Sequence, residues 1–296
     1  MRTEINGKTG ILGIIGGNIE TSLSPFLHNE LLKYYSLNER YLPFQISINQ
    51  LQIVIEWMKA LNVKEMNVTA PFKEKIFDFM DSTDESAFRV GAMNTIVNKN
   101  GFLSGYNTDL IGFKRSLIEG DSNFEIDGKN AVVLGAGGAA RAVVYVLCQE
   151  GIKEISIFNR TLQRAEKIKQ EYQVFFPDCH IRIFPIENGC LQKKINRTDV
   201  LINATPIGSH PNIEINPLPD NIQLNQHLLA YDLIYFPEKT YFLKQAEKAG
   251  AKTINGNHML VYQAVESFYL WTGIQPDKKI VKKLIYTLDH QNKSKD

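Results

Sequence analysis

A chain of 296 residues, 44% hydrophobic and 22% charged, is long enough for two hydrophobic cores and too polar for an integral membrane protein. Its 33 basic and 32 acidic residues leave a formal net charge of +1, which excludes an overall field that would gather nucleic acid or an anionic membrane. Three scattered cysteines, Cys148, Cys179 and Cys190, with no CxxC pair, exclude a disulfide framework, and six histidines without ligand spacing argue against a metal site.

The amino terminus "MRTEINGKTG" lacks the apolar core of a signal peptide, so a cytoplasmic location is expected. "GILGIIGG" (10–17) predicts a buried strand, "SPFLHNELLKYYS" (24–36) a helix with Ser24 as N-cap and Pro25 at its first position, and "YLPFQIS" (41–47) a second strand. "LQIVIEWMKALN" (51–62) is amphipathic, "EMNVTAP" (65–71) reads as strand and "FKEKIFDFM" (72–80) as helix, which makes a βαβαβα unit with a mainly parallel sheet. In "MNTIVNKNGFLSGYNTD" (93–109) two extended runs flank Asn100-Gly101, a strong hairpin signal that adds antiparallel strands. After the helical "LIGFKRSLIEG" (110–120) a new βαβ series starts near residue 129, with strands at 154–160, 199–206, 228–235 and 251–256. "HMLVYQAVESFYLWTG" (258–273) is an apolar helix with another behind it, and "HQNKSKD" (290–296) reads as a disordered tail. The fold class is therefore α/β in two domains, with a boundary near 110.

"AVVLGAGGAARA" sets Gly135, Gly137 and Ala140 in a G-x-G-x-x-A pattern directly after an apolar strand and directly before a helix. Gly135 allows the tight turn, Gly137 admits a pyrophosphate to the backbone, and Ala140 permits close helix packing; the helix start supplies free amides for the anion. NAD sites usually place an acidic residue at the end of the next strand. Here "FNRTLQRA" offers Asn159, Arg160 and Thr161, with Arg164 a turn later, a set suited to a 2′-phosphate and hence to NADP.

The first domain concentrates small polar residues at strand ends and turns: Ser22 and Ser24, Thr69, Asn94 and Thr95, Asn107 and Asp109. That edge of an open α/β sheet is where ligands bind, and the set suits a polyhydroxylated small molecule. Lys73 and Asp109 are the only obvious proton-transfer pair. Each residue also has a bland reading: Ser24 or Asp109 could simply cap a helix, and a first-turn lysine is usually a solvated charge.

Taken together these residues resemble the shikimate dehydrogenase family, NADP-linked reductases of aromatic amino acid biosynthesis. "SLSPFLHN" (22–29) is similar to the family's carboxylate-binding segment, "NVTAPFK" (67–73) to the segment of its catalytic lysine, and "GAMNT" (91–95) with "GYNTD" (105–109) to its hydroxyl-binding and catalytic-aspartate segments. "GAGGAARA", "NRT", "NATPIG", "DLIY" and "NGNHMLVYQA" follow in the family's order. The resemblance implies a substrate domain over 1–109 and 256–296 and a Rossmann-like NADP domain over 110–255. It implies that Ser22 and Ser24 bind the shikimate carboxylate, that Thr69, Lys73, Asn94, Asp109 and Gln263 surround the ring hydroxyls, and that Tyr235 sits beside carboxylate and nicotinamide. Gly135, Ala136, Gly137, Gly138 and Ala139 would hold the pyrophosphate, Asn159, Arg160 and Thr161 the adenosine phosphate, and Thr205, Gly256 and Met259 would flank the nicotinamide. One departure stands out: "GGNIETSLSP" lacks the family's usual loop proline and has Thr21 where a basic residue is common, so the carboxylate would be held with fewer charges.

The expected activity is reversible NADPH-dependent reduction of 3-dehydroshikimate, with Lys73 exchanging the proton and Asp109 orienting substrate and lysine. A quinate/shikimate dehydrogenase is the nearest alternative, and a silent NADP-binding sensor a more distant one. The partners expected are small molecules, with neither nucleic acid nor membrane, in a monomer or homodimer.

Overall fold

The computed structural model describes residues 4–291. The chain forms two compact units, one running to Gly112 and including Val261–Tyr286, the other comprising Phe113–Leu260 and Thr287 onward.

In the first unit β1 (Gly10–Gly16), α1 (Ser24–Tyr34), β2 (Glu39–Gln45), α2 (Leu51–Ala60) and β3 (Glu65–Val68) lead to a two-residue β4 (Ser82–Thr83), α3 (Glu85–Val90), β5 (Thr95–Lys99) and β6 (Phe102–Tyr106). The sheet order is β2-β1-β3-β5-β6-β4. β1 pairs in parallel with β2 and β3, whereas β3, β5 and β6 run antiparallel. Asn100 (φ 56°) and Gly101 (φ 88°) both take positive φ at the β5–β6 hairpin, the backbone that an Asn-Gly turn favours. Ile15, Met66, Val68, Phe72, Ile76, Ile96 and Leu103 pack into one buried cluster beneath this sheet.

The second unit continues with α4 (Asp109–Gly120), which starts in the first unit, then β7 (Asn130–Leu134), α5 (Gly138–Gln149), β8 (Glu154–Phe158), α6 (Leu162–Phe175), β9 (His180–Phe184), α7 (Asn188–Ile195), β10 (Val200–Asn203), β11 (Leu229–Asp232), α8 (Tyr241–Lys248) and β12 (Lys252–Ile254). Its sheet is parallel throughout, in the order β12-β11-β10-β7-β8-β9. Read from β9, this is the doubly wound 3-2-1-4-5-6 order, whose direction of winding reverses between β7 and β10. α9 (Asn257–Thr272) and α10 (Lys278–Gln291) end the described chain. Among the described residues no helix is long and apolar enough to cross a membrane.

Three expectations are corrected. The helix expected over 72–80 does not form; only a 3-10 turn appears at Ile76–Phe79. The Lys73 carbonyl, which an α-helix would reserve for the N–H of residue 77, instead accepts from Met93 N–H at 2.8 Å. Ser24 does not cap α1: the cap position is Leu23 without a side-chain bond, and the Ser22 hydroxyl accepts from Ser24 N–H at 3.3 Å. Of the tail expected to be disordered, His290 and Gln291 belong to α10, and 292–296 lie outside the described residues.

His28 of α1 is fully buried, stacked on Tyr41 (ring centroids 4.3 Å apart) and against Trp271 (4.7 Å), and among the described residues neither of its ring nitrogens has a hydrogen-bond partner. Burial pushes its pKa down to about 3, against a smaller opposing pull from Asn67. A base depressed in the folded state contributes stability above its unfolded pKa near 6.5, and that stability is lost as pH falls toward 3. Replacing His28 by Phe keeps the stacking and removes the titration. Between pH 7 and pH 5 the wild-type protein should therefore lose about 2 kcal/mol more unfolding free energy than His28→Phe in urea titrations; parallel losses would show that His28 is not the acid-sensitive group.

Candidate functional site

In the first unit the proton-transfer candidates converge from four chain segments. Lys73 follows β3, where burial of Phe72 and Ile76 on either side pins the turn and leaves the lysine half-buried. Its Nζ lies 2.5 Å from Asp109 Oδ2, with the two side chains 15% and 7% exposed. The other carboxylate oxygen, Oδ1, accepts from Asn94 Nδ2 at 2.9 Å. Asp109 opens α4, yet its carboxylate is not spent on capping: Asn107 Oδ1 accepts the Asp109 N–H at 3.0 Å, which leaves Asp109 for the lysine. Gln263, on α9, places Oε1 3.5 Å from Asn94 Nδ2. A buried ammonium and carboxylate are tolerated because each is paired and the carboxylate is hydrogen-bonded again.

Behind Asn94 stands a polar cluster from which the sequence reading did not single out Asn67, Thr108 or Ser267. Asn94 Oδ1 accepts the Thr108 N–H at 2.8 Å, Asn67 Nδ2 donates to Thr95 Oγ1 at 3.0 Å, and the Tyr41 hydroxyl donates to Asn67 Oδ1 at 2.7 Å. The available signal was helical spacing, since Ser267 lies four positions after Gln263 and so on the same face of α9. Ser22 and Ser24 flank the start of α1, and Thr69 follows β3 with its N–H on the Ile15 carbonyl at 2.9 Å. Among the described residues, neither serine is hydrogen-bonded to the Lys73 cluster.

In the second unit Gly135 leaves β7 at φ 106°, and a Cβ there would come within 3.0 Å of the Ala204 carbonyl and of Thr205 Cγ2. Gly137 differs. Its φ of −93° suits any residue, it stands at the N-cap of α5, and a Cβ on it would meet nothing within 4 Å. Open space beside an uncapped helix start at the switch point is the cradle a pyrophosphate needs, so Gly135, Ala136, Gly137, Gly138 and Ala139 fit such a group. At the end of the adjacent β8, Asn159 Nδ2 donates to the Thr161 carbonyl at 2.7 Å, and Arg160 and Arg164 are exposed.

Thr205 is fixed after β10 by Asn203 Oδ1, which accepts its hydroxyl at 2.7 Å. Asn203 Nδ2 donates in turn to Asp232 Oδ1 at 3.0 Å, and the Thr240 hydroxyl donates to Asp232 Oδ2 at 2.6 Å. Burial raises the Asp232 pKa to about 7 despite these bonds. Tyr235 is half-buried three residues past β11, and Gly256 lies so near this segment that a Cβ would reach 2.2 Å from the Leu233 carbonyl; Met259, in the first turn of α9, is buried. Among the described residues no group of three or more His, Cys, Asp or Glu could hold a metal ion.

A doubly wound sheet with an anion-binding glycine turn, on the same chain as a buried lysine–aspartate pair, defines the class of two-unit α/β dinucleotide-dependent dehydrogenases. Family models match in chain order: the shikimate dehydrogenase substrate binding domain over residues 14–96, shikimate/quinate 5-dehydrogenase over 119–230 and the shikimate 5′-dehydrogenase C-terminal domain over 258–286. A shikimate dehydrogenase (NADP(+)) from Halothermothrix orenii is 40% identical over 272 residues, 92% of this chain and 94% of the relative. Shikimate 5-dehydrogenase from Listeria monocytogenes, solved in complex with shikimate and NAD, superposes with a TM-score of 0.85 at 35% identity, covering 96% of this chain and 99% of that one. Quinate dehydrogenase from Corynebacterium glutamicum, in complex with NAD, gives a TM-score of 0.82 at 27% identity over 94% and 98%. The chain belongs to the shikimate dehydrogenase family.

The two glycines separate folding from binding. Gly135→Ala strains a positive-φ position by about 1 to 3 kcal/mol and should lower the melting temperature. Gly137→Val should leave melting within about 0.5 kcal/mol of wild type yet weaken NADP binding by at least about tenfold in calorimetry. Unchanged affinity in Gly137→Val would remove that amide from the binding site.

Proposed function

We propose that this protein is a shikimate dehydrogenase that reversibly reduces 3-dehydroshikimate to shikimate with NADPH. The observation that carries the reading is the Lys73–Asp109 pair, 2.5 Å apart and largely removed from water, in a family whose relatives are named for this reaction. NADP, when bound, supplies or accepts the hydride. The chain's own residues manage the proton and the geometry. Lys73 Nζ gives a proton to the ketone oxygen during reduction and takes it back during oxidation. Asp109 accepts a hydrogen bond from Lys73 on one oxygen and from Asn94 on the other, which aims the lysine and offers the substrate hydroxyl an acceptor. Gln263 faces the same amide and is suited to a ring hydroxyl. Ser22 and Ser24 take the substrate carboxylate and Thr69 a ring hydroxyl.

For the cofactor, the Gly135–Ala139 turn cradles the pyrophosphate, and Asn159, Arg160, Thr161 and Arg164 favour the 2′-phosphate of NADP over NAD. Thr205, Gly256 and Met259 flank the nicotinamide. Free cysteines at 148, 179 and 190 suit a reducing cytoplasm, and the near-zero net charge suits small-molecule partners rather than nucleic acid.

The test is NADPH formation with shikimate and, separately, with quinate, each offered NADP and NAD; no turnover of shikimate with NADP would sink the proposal. Lys73→Ala should cut kcat by roughly 10² to 10⁴ with folding intact. Arg160→Asp should raise KM for NADP about tenfold or more while leaving KM for NAD unchanged, because a charged hydrogen bond contributes roughly 1.5 to 3 kcal/mol.

A further inference from the structure

Ser267 lies on α9 with its side chain wholly buried, and the family reading gives it no task. Its Oγ stands 3.1 Å from Thr108 Oγ1 and 3.0 Å from Thr95 Oγ1. Both threonines touch the Asn94 amide: Asn94 Nδ2 donates to Thr108 Oγ1 at 2.9 Å, and Thr95 Oγ1 donates to Asn94 Oδ1 at 3.1 Å. The four side chains therefore close a ring.

The donor directions around it can be assigned. Asn94 Oδ1 must accept the Thr108 backbone N–H, and Asp109 Oδ1 must accept from the other end of the amide, so the Nδ2 end faces Asp109 and Thr108 Oγ1. Thr108 Oγ1 also comes within 3.2 Å of Asn94 Oδ1. A hydroxyl that takes a hydrogen from one end of an amide is badly placed to return one to the other end, so the Thr108 hydrogen is left for Ser267. Ser267 donates to Thr95, and Thr95 donates to Asn94 Oδ1. Within the ring each hydroxyl receives one hydrogen and gives one, the latter being its full donor capacity, and bonds in such a circuit polarise one another in a single sense. Asn67 Nδ2, 3.2 Å from Ser267 Oγ and 3.0 Å from Thr95 Oγ1, supports the ring from behind.

We infer that Ser267 is a positioning residue: it closes a one-directional hydrogen-bond ring, Asn94 to Thr108 to Ser267 to Thr95 and back to Asn94, that holds the Asn94 amide on Asp109 and thereby aims Lys73. Ser267 also ties α9 to this ring one turn after Gln263, so the same bond sets where Gln263 stands. The role in turnover rests on the dehydrogenase reading, whereas the ring itself does not.

Two measurements on the full chain test it. In the first, hydrogen exchange of the Asn94 side-chain amide is followed by NMR without added ligand. Exchange should be slow in the wild type and faster by about tenfold or more in Ser267→Ala; equal rates would overturn the ring, whatever the enzyme does. In the second, Ser267→Ala should lower kcat with shikimate by about tenfold while leaving KM for NADP unchanged, since the ring lies wholly within the first unit. Thr95→Val, which keeps the shape and deletes the hydroxyl, should do the same, and it decides the matter if Ser267→Ala does not fold. The double variant should be no slower than about twofold below the worse single one, because members of one circuit do not add. Wild-type kcat in both single variants, or multiplicative losses in the double, would reduce Ser267 to packing. Absence of wild-type turnover with shikimate would instead remove the proposed function and leave the exchange result to judge the ring.

Discussion

A lysine and an aspartate held largely out of water set the requirements for everything around them in the first unit. Charges removed from solvent cost several kcal/mol each unless they are paired and hydrogen-bonded, so the chain must bring partners to Asp109 from separate places. It does this largely with the ends of elements: the turn after β3 brings Lys73, the approach to β5 brings Asn94 and the start of α4 brings Asp109, while the middle of α9 brings Gln263 and Ser267. The same demand explains a local oddity. The segment after β3 gives up the helix its composition favours, since the Lys73 carbonyl is tied to Met93 and the turn is held by two fully buried side chains, Phe72 and Ile76. Tertiary hydrogen bonds outweigh intrinsic propensity where a functional side chain must be aimed.

The second unit solves a different problem, the approach of an anion to backbone. Gly135 and Gly137 both match one short pattern, yet the structure gives them different reasons. Gly135 is demanded by the fold itself, through its positive φ and the Ala204 carbonyl beside it; at Gly137 the fold makes no such demand. Gly256 is a third case, excluded from carrying a side chain by the Leu233 carbonyl. Thr205 stays beside this turn through a chain of bonds that runs to the buried Asp232, so the polar floor of this sheet edge is paired as the Lys73–Asp109 cluster of the other unit is.

Much of this was legible in the sequence, for physical reasons that also mark where legibility stopped. Long apolar runs, the Asn100-Gly101 turn and the glycine pattern at 135–140 are local signals, and the predicted elements, the helix over 72–80 apart, appear close to their expected places. Expected strands ran past their true ends at 71, 160, 206 and 235, because site loops continue the strand composition after sheet pairing stops. α3 escaped notice despite Asp84 capping it through Ser86 N–H and Gly91 ending it at φ 67°, since six residues are too few to show a helical period. Lys73 and Asp109, 36 residues apart, were paired only as chemistry; nothing local says that they touch. The partners of Asn67, Thr108 and Ser267 are hidden for the same reason, because a small polar residue in an apolar run signals burial of a polar group without naming its partner, and helical spacing links Ser267 only to Gln263.

Both units keep a buried titratable group whose pKa burial displaces, and the two displacements have opposite consequences. His28 favours folding only while neutral, so its contribution is present above about pH 6.5 and lost as pH falls toward 3. Asp232, raised to about 7, keeps its proton in the folded state where the unfolded chain would release it; its contribution is complete below about 3.8 and is lost as pH rises through 7. His28 thus contributes an acid sensitivity below about pH 6.5, and Asp232 a loss that accumulates as pH rises from about 3.8 to 7 and does not grow beyond it. The two full ranges, below about 3.8 for Asp232 and above about 6.5 for His28, do not overlap, so no pH holds both contributions complete. An aromatic stack around His28 and a hydrogen-bonded network around Asp232 therefore respond to pH in opposite senses, and the sign in each case follows from which form of the group the protein interior refuses to solvate.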